Sequence, residues 1–307
     1  MESAVAIAGP EGSQAAISEL RAGQRFEGRY ACVRKDRLTA RNGSSYLMVE
    51  LRDRSGTLPA RIFREADRIG LRFERGDAVV ARGRLQRFRG DLVAELQDVR
   101  RLEPGSFDPA EFLPTAYRSI EELEGFLEHL IREIHDDGLR QATERLLLSG
   151  PTAEEFRRAP CTRAGHHAYL GGLLEHTVSV GTLVGDLCQL HPRLDSDLLM
   201  TAALLHDVGK TREFDYGAQI ETSAEGRMVG HLAIGAQLVA GAGADLSDDR
   251  RLALLHCVLS HHGPDAGPAR SAGAGRGFGS PEALALYRLN AVDATVKGAL
   301  EHGLPPA

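Results

Sequence analysis

The chain has 307 residues, 42% of them hydrophobic and 26% charged, with a formal net charge of −6. This is an ordinary composition for a globular protein, and the length suffices for two domains with separate cores. The four cysteines (Cys32, Cys161, Cys188, Cys257) form no CxxC pair, which excludes a disulfide framework or zinc knuckle. The N-terminus lacks the basic lead-in of a signal peptide, and no stretch reaches the ~20 apolar residues that span a bilayer. A cytoplasmic protein with no membrane partner is therefore expected.

The overall charge hides an asymmetry. Residues Arg21 to Glu103 carry a net +8, whereas the remainder carries −14. Opposite charge in two halves suggests two tasks, with the basic half the better suited to a polyanion. Trp is absent, so any stacking on nucleic-acid bases must use Phe or Tyr.

Residues 1–20 are small and polar and are expected to be a disordered N-terminus. Phe26 to Val33, Ser45 to Asp53, Leu58 to Phe63, Asp77 to Leu85 and Asp91 to Val99 then read as five strands. Turn signals separate them at Asn42-Gly43, Ser55-Gly56, Arg75-Gly76-Asp77 and Arg89-Gly90-Asp91. A short helix over Arg64 to Phe73 falls between the third and fourth strands, which is the element order of an OB-fold barrel over residues 21–103.

After Pro104 the pattern becomes helical. A helical linker region is expected over 104–160, followed by an all-α domain over 161–307. Ile120 to Ile134 places Ile120, Leu123, Leu127, Leu130, Ile131 and Ile134 on one helical face. Leu139 to Leu148 follows, ended by Ser149-Gly150-Pro151. Further helices are expected near Tyr169 to Leu190, Asp195 to His206, His231 to Ala240, Asp249 to Ser260 and Glu282 to Glu301. The Gly/Ala/Ser-rich run Gly263 to Gly279 separates the last two and is expected to be flexible.

Five of the twelve histidines and two aspartates form a spaced series: His176, His206-Asp207, His231, His261-His262 and Asp293. Each lies within or at the end of an expected helix, so antiparallel neighbours can project them into one pocket. A single His on an apolar helix is more often a satisfied core residue than a ligand. Seven polar groups on apolar helices are harder to explain so, because each would need its own buried partner. Imidazole and carboxylate suit Mn, Fe, Co, Ni or Zn, and one carboxylate can bridge two ions.

The sharpest motif is Leu204-Leu205-His206-Asp207-Val208-Gly209-Lys210. Adjacent His and Asp at a helix end can both face a metal as the backbone turns, with Gly209 supplying a permissive conformation. Lys210 stands one turn on, where it could meet a phosphate oxygen. The run resembles the HD superfamily signature HDxGK.

The resemblance extends to the YhaM-type 3′→5′ exoribonucleases. It is carried by His166-His167-Ala168-Tyr169-Leu170-Gly171-Gly172-Leu173-Leu174-Glu175-His176-Thr177, Gly230-His231-Leu232-Ala233-Ile234-Gly235, Leu259-Ser260-His261-His262-Gly263, Asp108 to Pro114 and Phe156-Arg157-Arg158-Ala159-Pro160. It covers residues 25 to 300 and implies an N-terminal all-β OB-fold barrel followed by an all-α HD domain. It further implies His176, His206, Asp207 and Asp293 at one divalent ion. His231 and His261, with His262 as partner or substitute, would hold a second ion, with Asp207 bridging. Mn is the first expectation. The implied activity is hydrolysis of single-stranded RNA, with single-stranded DNA as the alternative, from the 3′ end to nucleoside monophosphates. Asp207 and Lys210 would be catalytic.

The chain departs from that pattern between Gly263 and Ala283, where small residues are inserted, and at Tyr287, where a His is common. Two other readings stay open: a nucleotide or cyclic-nucleotide phosphohydrolase with a regulatory barrel, and a non-catalytic nucleic-acid-binding protein. For the strand itself the candidates are Tyr30, Tyr46, Phe63 and Phe88, interleaved with Arg34, Lys35, Arg52, Arg61, Arg84, Arg87 and Arg89. Any one of those aromatics is more safely assigned to the barrel core. His166 and His167 are candidates for the phosphate path.

Overall fold

Alternation of apolar residues along five consecutive segments makes a sheet that must bury one face, and here it does so by closing on itself. In the computed structural model, which describes residues 16–39, 43–263 and 277–304, β1 (Arg25–Thr39), β2 (Ser45–Asp53), β3 (Gly56–Ile62), β4 (Ala78–Phe88) and β5 (Asp91–Arg101) form a closed barrel. The strand order is β1-β2-β3-β5-β4, with α1 (Ala66–Gly70) between β3 and β4. Closure depends on the length of β1. Its first half, Arg25 to Ala31, pairs with β4 and its second half, Ala31 to Thr39, with β2, and a bulge between Cys32 and Arg34 bends the strand. β3 and β5 pair in parallel through Ala60 opposite Ala94 and Arg61 opposite Glu95.

The barrel core holds Tyr30, Leu47, Val49, Leu51, Leu58, Ile62, Ile69, Val79, Leu85, Leu96 and Val99, each full burial stabilising by about 1.5–3 kcal/mol for a Leu-sized side chain. The expected disorder does not extend to residue 20. Ile17 and Leu20 are buried in this core, a 3-10 turn runs over Ile17–Glu19, and the Ile17 N–H donates to Asp53 Oδ2 at 2.8 Å. Two apolar side chains and an acceptor suffice to hold the segment. Residues 1–15, the Asn42 half of one turn signal and most of the Gly-rich run (264–276) lie outside the described residues.

The chain divides into two compact units, the first running to Pro114 and including Tyr216–Gln219, the second starting at Thr115. The linker expected over 104–160 is therefore not a separate region. Phe112 is buried with Ala31 and Ala78 in the first unit, whereas the next helices belong to the second.

In the second unit α2 (Ile120–Arg132), α3 (Asp137–Leu147), α4 (Gly150–Arg158), α5 (Gly172–Leu190) and α6 (Ser196–Leu205) come first. Then follow α7 (Lys210–Glu213), the hairpin β6 (Phe214–Tyr216) and β7 (Ile220–Thr222), whose Tyr216–Gln219 count with the first unit, and α8 (Ala224–Met228), α9 (His231–Ala242), α10 (Asp248–Ser260) and α11 (Pro281–His302). Helix starts are capped, with Ser119, Asp136, Asp195, Ser247 and Ser280 each accepting from an N–H three residues on. α4 departs from expectation. Gly150-Pro151 reads as the end of α3, but Pro at a first helical turn also opens a helix. The β6–β7 hairpin is the other departure from an all-α second half. α6 is buried from Leu198 to Leu205 on every side and packs on α5, α10 and α11, so its C-terminal end delivers His206 and Asp207 to the middle of the unit. No helix among the described residues is long and apolar enough to cross a membrane.

Candidate metal centre and barrel surface

Asp207 lies two residues past Leu205, the last residue of α6, and is 1% exposed. Its two carboxylate oxygens face opposite groups of imidazoles. Oδ2 lies 3.3 Å from His206 Nε2 and 3.6 Å from His176 Nε2. Oδ1 lies 3.3 Å from His261 Nε2 and 3.7 Å from His231 Nε2. His262 Nε2 is 2.9 Å from His231 Nε2 and completes this second group. On a regular helix, neighbouring residues such as His261 and His262 cannot share a direction. α10 ends at Ser260, and in the turn that follows the two rings come to 4.2 Å between centroids.

The second ring nitrogens decide the protonation pattern. His206 Nδ1–H donates to Ala203 O at 2.8 Å, and His261 Nδ1–H to Val258 O at 2.6 Å. His231 Nδ1–H donates to Glu213 Oε1 at 2.9 Å, and His176 Nδ1–H to Asp293 Oδ2 at 2.6 Å. Each ring's Nε2 is then a bare lone pair. His176 Nε2 nonetheless sits 3.2 Å from His206 Nε2. Among the described residues Asp207 Oδ1 and His261 Nε2 have no hydrogen-bond partner, although both are buried. Acceptors facing acceptors in a buried pocket repel unless cations lie between them. The donor set thus fits divalent metal.

The electrostatics agree. Burial pushes His176 down to about 4, against the pull of Asp293, and His261 down to about 3, against that of Asp207. These rings are neutral, as ligands must be. Burial would raise the Asp207 carboxyl, but the Lys210 ammonium beside it holds it well below its ordinary value.

Three expectations need correction. Lys210 is 5% exposed and its Nζ is bonded to Asp207 Oδ2 at 2.7 Å, with Cys161 Sγ at 3.5 Å. It faces the carboxylate three residues before it, not a free phosphate site. Gly209 has ordinary helical φ and ψ of −64° and −19°. Its missing Cβ matters for space, since a Cβ there would lie 2.1 Å from His231 O and 2.5 Å from the Gly235 N. Only glycine lets the start of α9 come this near. Asp293 groups with His176 and His167, not with Asp207, and stands behind His176 as a carboxylate holding an imidazole.

His167 cannot line a phosphate path, because it is 1% exposed. Its Nε2 donates to Asp293 Oδ2 at 3.1 Å and its Nδ1 meets the Tyr169 hydroxyl at 2.8 Å, which itself donates to Glu175 Oε2 at 2.5 Å. With the single tyrosine proton committed, His167 must donate from both nitrogens. Its pKa is raised accordingly: burial works against the charge, and the bonds to Asp293 and Glu175 outweigh it. Gly172 admits this arrangement, as a Cβ there would lie 2.1 Å from His167 O. His166 is half-buried, with its ring 5.3 Å from that of His176.

On the barrel the candidate residues divide. Phe88 is 40% exposed, with the Arg61 guanidinium 4.0 Å from its ring centroid and that of Arg89 at 5.5 Å. Tyr46 and Phe63 lie with ring centroids 5.4 Å apart, Phe63 being 44% exposed. Arg34, Arg84 and Arg87 are exposed. Three candidates drop out. Tyr30 is in the core, Lys35 Nζ is held by Gly70 O at 2.7 Å and Phe73 O at 2.6 Å, and Arg52 donates to Ala218 O at 3.1 Å.

Residues 173–295 match the model of the HD domain family, and residues 27–102 that of an OB-fold nucleic acid binding domain. The 3'-5' exoribonuclease YhaM of Bacillus subtilis (strain 168) is 30% identical over 227 residues, which cover 73% of this chain and 72% of that protein. The chain belongs to the YhaM 3'-5' exoribonuclease family. The YhaM of Listeria welshimeri is 29% identical over 269 residues, covering 84% of this chain and 81% of its own length. Among solved structures, the second OB-fold domain of replication protein A from Methanococcus maripaludis covers 31% of this chain with 98% of its own length. It does so at 17% identity and a TM-score of 0.25, which adds nothing to the barrel already described.

For this member of the YhaM family, the residues that sequence reasoning passed over are Cys161, Tyr169, Glu175 and Glu213. Tyr169 and Glu175 stand inside the quoted His166–Thr177 motif, so their positions carried a signal. Glu213 and Cys161 reach the centre only through packing.

Proposed function

We propose that the chain is a metal-dependent exoribonuclease that hydrolyses single-stranded RNA from the 3′ end to nucleoside monophosphates. The supporting observation is the pair of donor sets on either side of Asp207, with lone pairs facing one another, in a chain that shares both domains with the YhaM 3'-5' exoribonucleases. His176, His206 and Asp207 Oδ2 would hold one divalent ion, with Asp293 as carboxylate behind His176. His231, His261, His262 and Asp207 Oδ1 would hold the other. When bound, two such ions lower the pKa of a water from 15.7 towards ~7 and neutralise charge developing on the phosphoryl oxygens.

The chain's own residues set the conditions for that chemistry. Backbone carbonyls Ala203 O and Val258 O and the carboxylate of Glu213 fix three imidazole tautomers, so that no ring must turn or lose a proton before use. Lys210 balances the Asp207 charge. The Phe88–Arg61 and Tyr46–Phe63 pairs on the barrel, with Phe88 and Phe63 exposed, would supply stacking faces beside cations, the arrangement suited to a single strand. Mn²⁺ is the ion to test first.

The deciding experiment is incubation of the purified protein with 5′-labelled single-stranded RNA and Mn²⁺, with and without EDTA. A metal-dependent ladder shortening from the 3′ end is expected. RNA left intact but retarded on a native gel would replace this reading with that of a binding protein, and turnover of free nucleotides alone would select a nucleotide phosphohydrolase.

A further inference from the structure

We infer that Phe278, Tyr287 and Arg288 form a stacking subsite at the open side of the metal centre, which takes the base of the 3′-terminal nucleotide. This deepens the exonuclease reading above and rests on it. Of the groups assigned to metal there, His176, His206, Asp207 and His261 are buried, whereas His231 is partly exposed and His262 exposed. A strand end must therefore reach the centre past His231 and His262. Gly263, next in the chain, turns back with a φ of +105°, its N–H donating to Ser260 O at 2.8 Å. It lies against Tyr287, since a Cβ at Gly263 would sit 3.2 Å from the ring atom Cε2 and 3.7 Å from the hydroxyl oxygen. One turn along α11, Asn290 Nδ2 donates to His261 O at 3.4 Å. The face of α11 that carries Tyr287 thus packs on the turn that carries both histidines.

The Phe278 ring stacks on that of Tyr287, with 5.4 Å between centroids and 30° between planes, and the exposed Arg288 guanidinium lies 5.0 Å from the Tyr287 centroid. Both rings are partly exposed, so the core does not use them up. Stacked rings with a cation beside them are what a nucleobase needs, and these stand at the rim of a centre that must admit a strand end. The pair is held in place by its own chain. Gly279 N–H donates to His256 Nε2 at 2.9 Å, which fixes the backbone next to Phe278, and Ser280 Oγ caps α11 by accepting from Ala283 N–H at 3.2 Å. Such a platform spares the cost of ordering a loop on binding. Stacking also tolerates any base, because each has a π-face. That suits an enzyme that must remove every nucleotide in turn.

The test uses the full-length protein with Mn²⁺ and three 5′-labelled RNAs: one ending in adenosine, one with an abasic ribose at the last position, and one with it at the penultimate position. Wild type should remove the terminal adenylate with a kcat/KM about 10-fold above that for the terminal abasic ribose, the worth of one stacked base. Tyr287→Ala and Phe278→Ala should each lower kcat/KM for the adenosine end by about 10-fold and so abolish the preference. Tyr287→Phe, which keeps the ring, should retain it. If an alanine variant misfolds, Tyr287→Leu and Phe278→Leu keep apolar bulk without the ring and carry the same comparison. A preference that survives loss of either ring would overturn the subsite, because the rings would then only shape the centre. Wild type indifferent to the terminal base, or sensitive only to the penultimate one, would overturn it too. If wild type cleaves no RNA, the exonuclease reading fails, and calorimetric titration with adenosine 5′-monophosphate and Mn²⁺ decides the subsite separately. Binding about 10-fold weaker in Tyr287→Ala would then support it, and equal or absent binding would overturn it.

Discussion

Replacing Asp207 by Asn keeps the shape and one acceptor oxygen but removes the charge that holds Lys210. The two groups are 2.7 Å apart and are 1% and 6% exposed at their side chains. At an effective dielectric of about 20 their attraction is about 6 kcal/mol. Part of that survives, because the Asn oxygen still accepts and Cys161 Sγ stays 3.5 Å from the ammonium. Leaving one buried partner uncompensated costs about 3–5 kcal/mol. Urea denaturation in EDTA should therefore show Asp207→Asn destabilised by that amount relative to the chelated wild type, with metal excluded as the cause. Adding Lys210→Met in the Asn background should return about 2 kcal/mol or more, since the stranded cation is gone. RNA hydrolysis with metal present should be abolished in both. A single variant within about 0.5 kcal/mol of wild type in EDTA would refute the reasoning, because Lys210 would then owe nothing to Asp207.

Glu213→Gln, which loosens the carboxylate behind His231, should weaken the second ion by about 10–100-fold in calorimetric titration and leave the first unchanged. Gly209→Ala should also cost at least ~10-fold at the second ion, because its Cβ would displace the His231 carbonyl; an unaltered titration would show that the start of α9 yields freely. His176 and His261 fall from the usual imidazole value of 6.5 to about 4 and about 3 on folding. Between pH 6.5 and about 4 the unfolded chain thus binds protons that the folded one refuses, and stability falls as pH falls. His176 alone contributes about 3 kcal/mol over that window, which a pH series of thermal melts in EDTA would reveal as a steep loss of Tm. On the barrel, Phe88→Ala should weaken oligonucleotide binding by about 1–3 kcal/mol. Arg61→Ala should lower the slope of log affinity against log salt by about 1, both read by fluorescence anisotropy.

Period-two alternation between turn signals was enough to place five strands and the helix between the third and fourth, and apolar spacing of three and four placed seven helices of the second half. These are local properties, so a chain can be read for them residue by residue. The seven chemically marked groups were legible for the same reason, since polar residues on apolar helix faces stand out wherever they occur. What was not legible depends on distances between segments far apart in the chain. Asp293 was expected beside Asp207 but stands behind His176, and Lys210 was expected to face substrate but is turned onto Asp207. Lys35 and Arg52, basic on the page, are consumed by backbone carbonyls of other segments.

The sequence by itself determined the order of elements, the two-part architecture and the inventory of imidazoles and carboxylates. The tertiary structure alone decided which nitrogen of each ring is free and which oxygen of Asp207 each group faces. A ring's tautomer follows from the partner of its other nitrogen, and those partners include Glu213 for His231 and Asp293 for His176, 18 and 117 residues away. Such pairings exist only once the helices have packed, and no spacing along one helix encodes them.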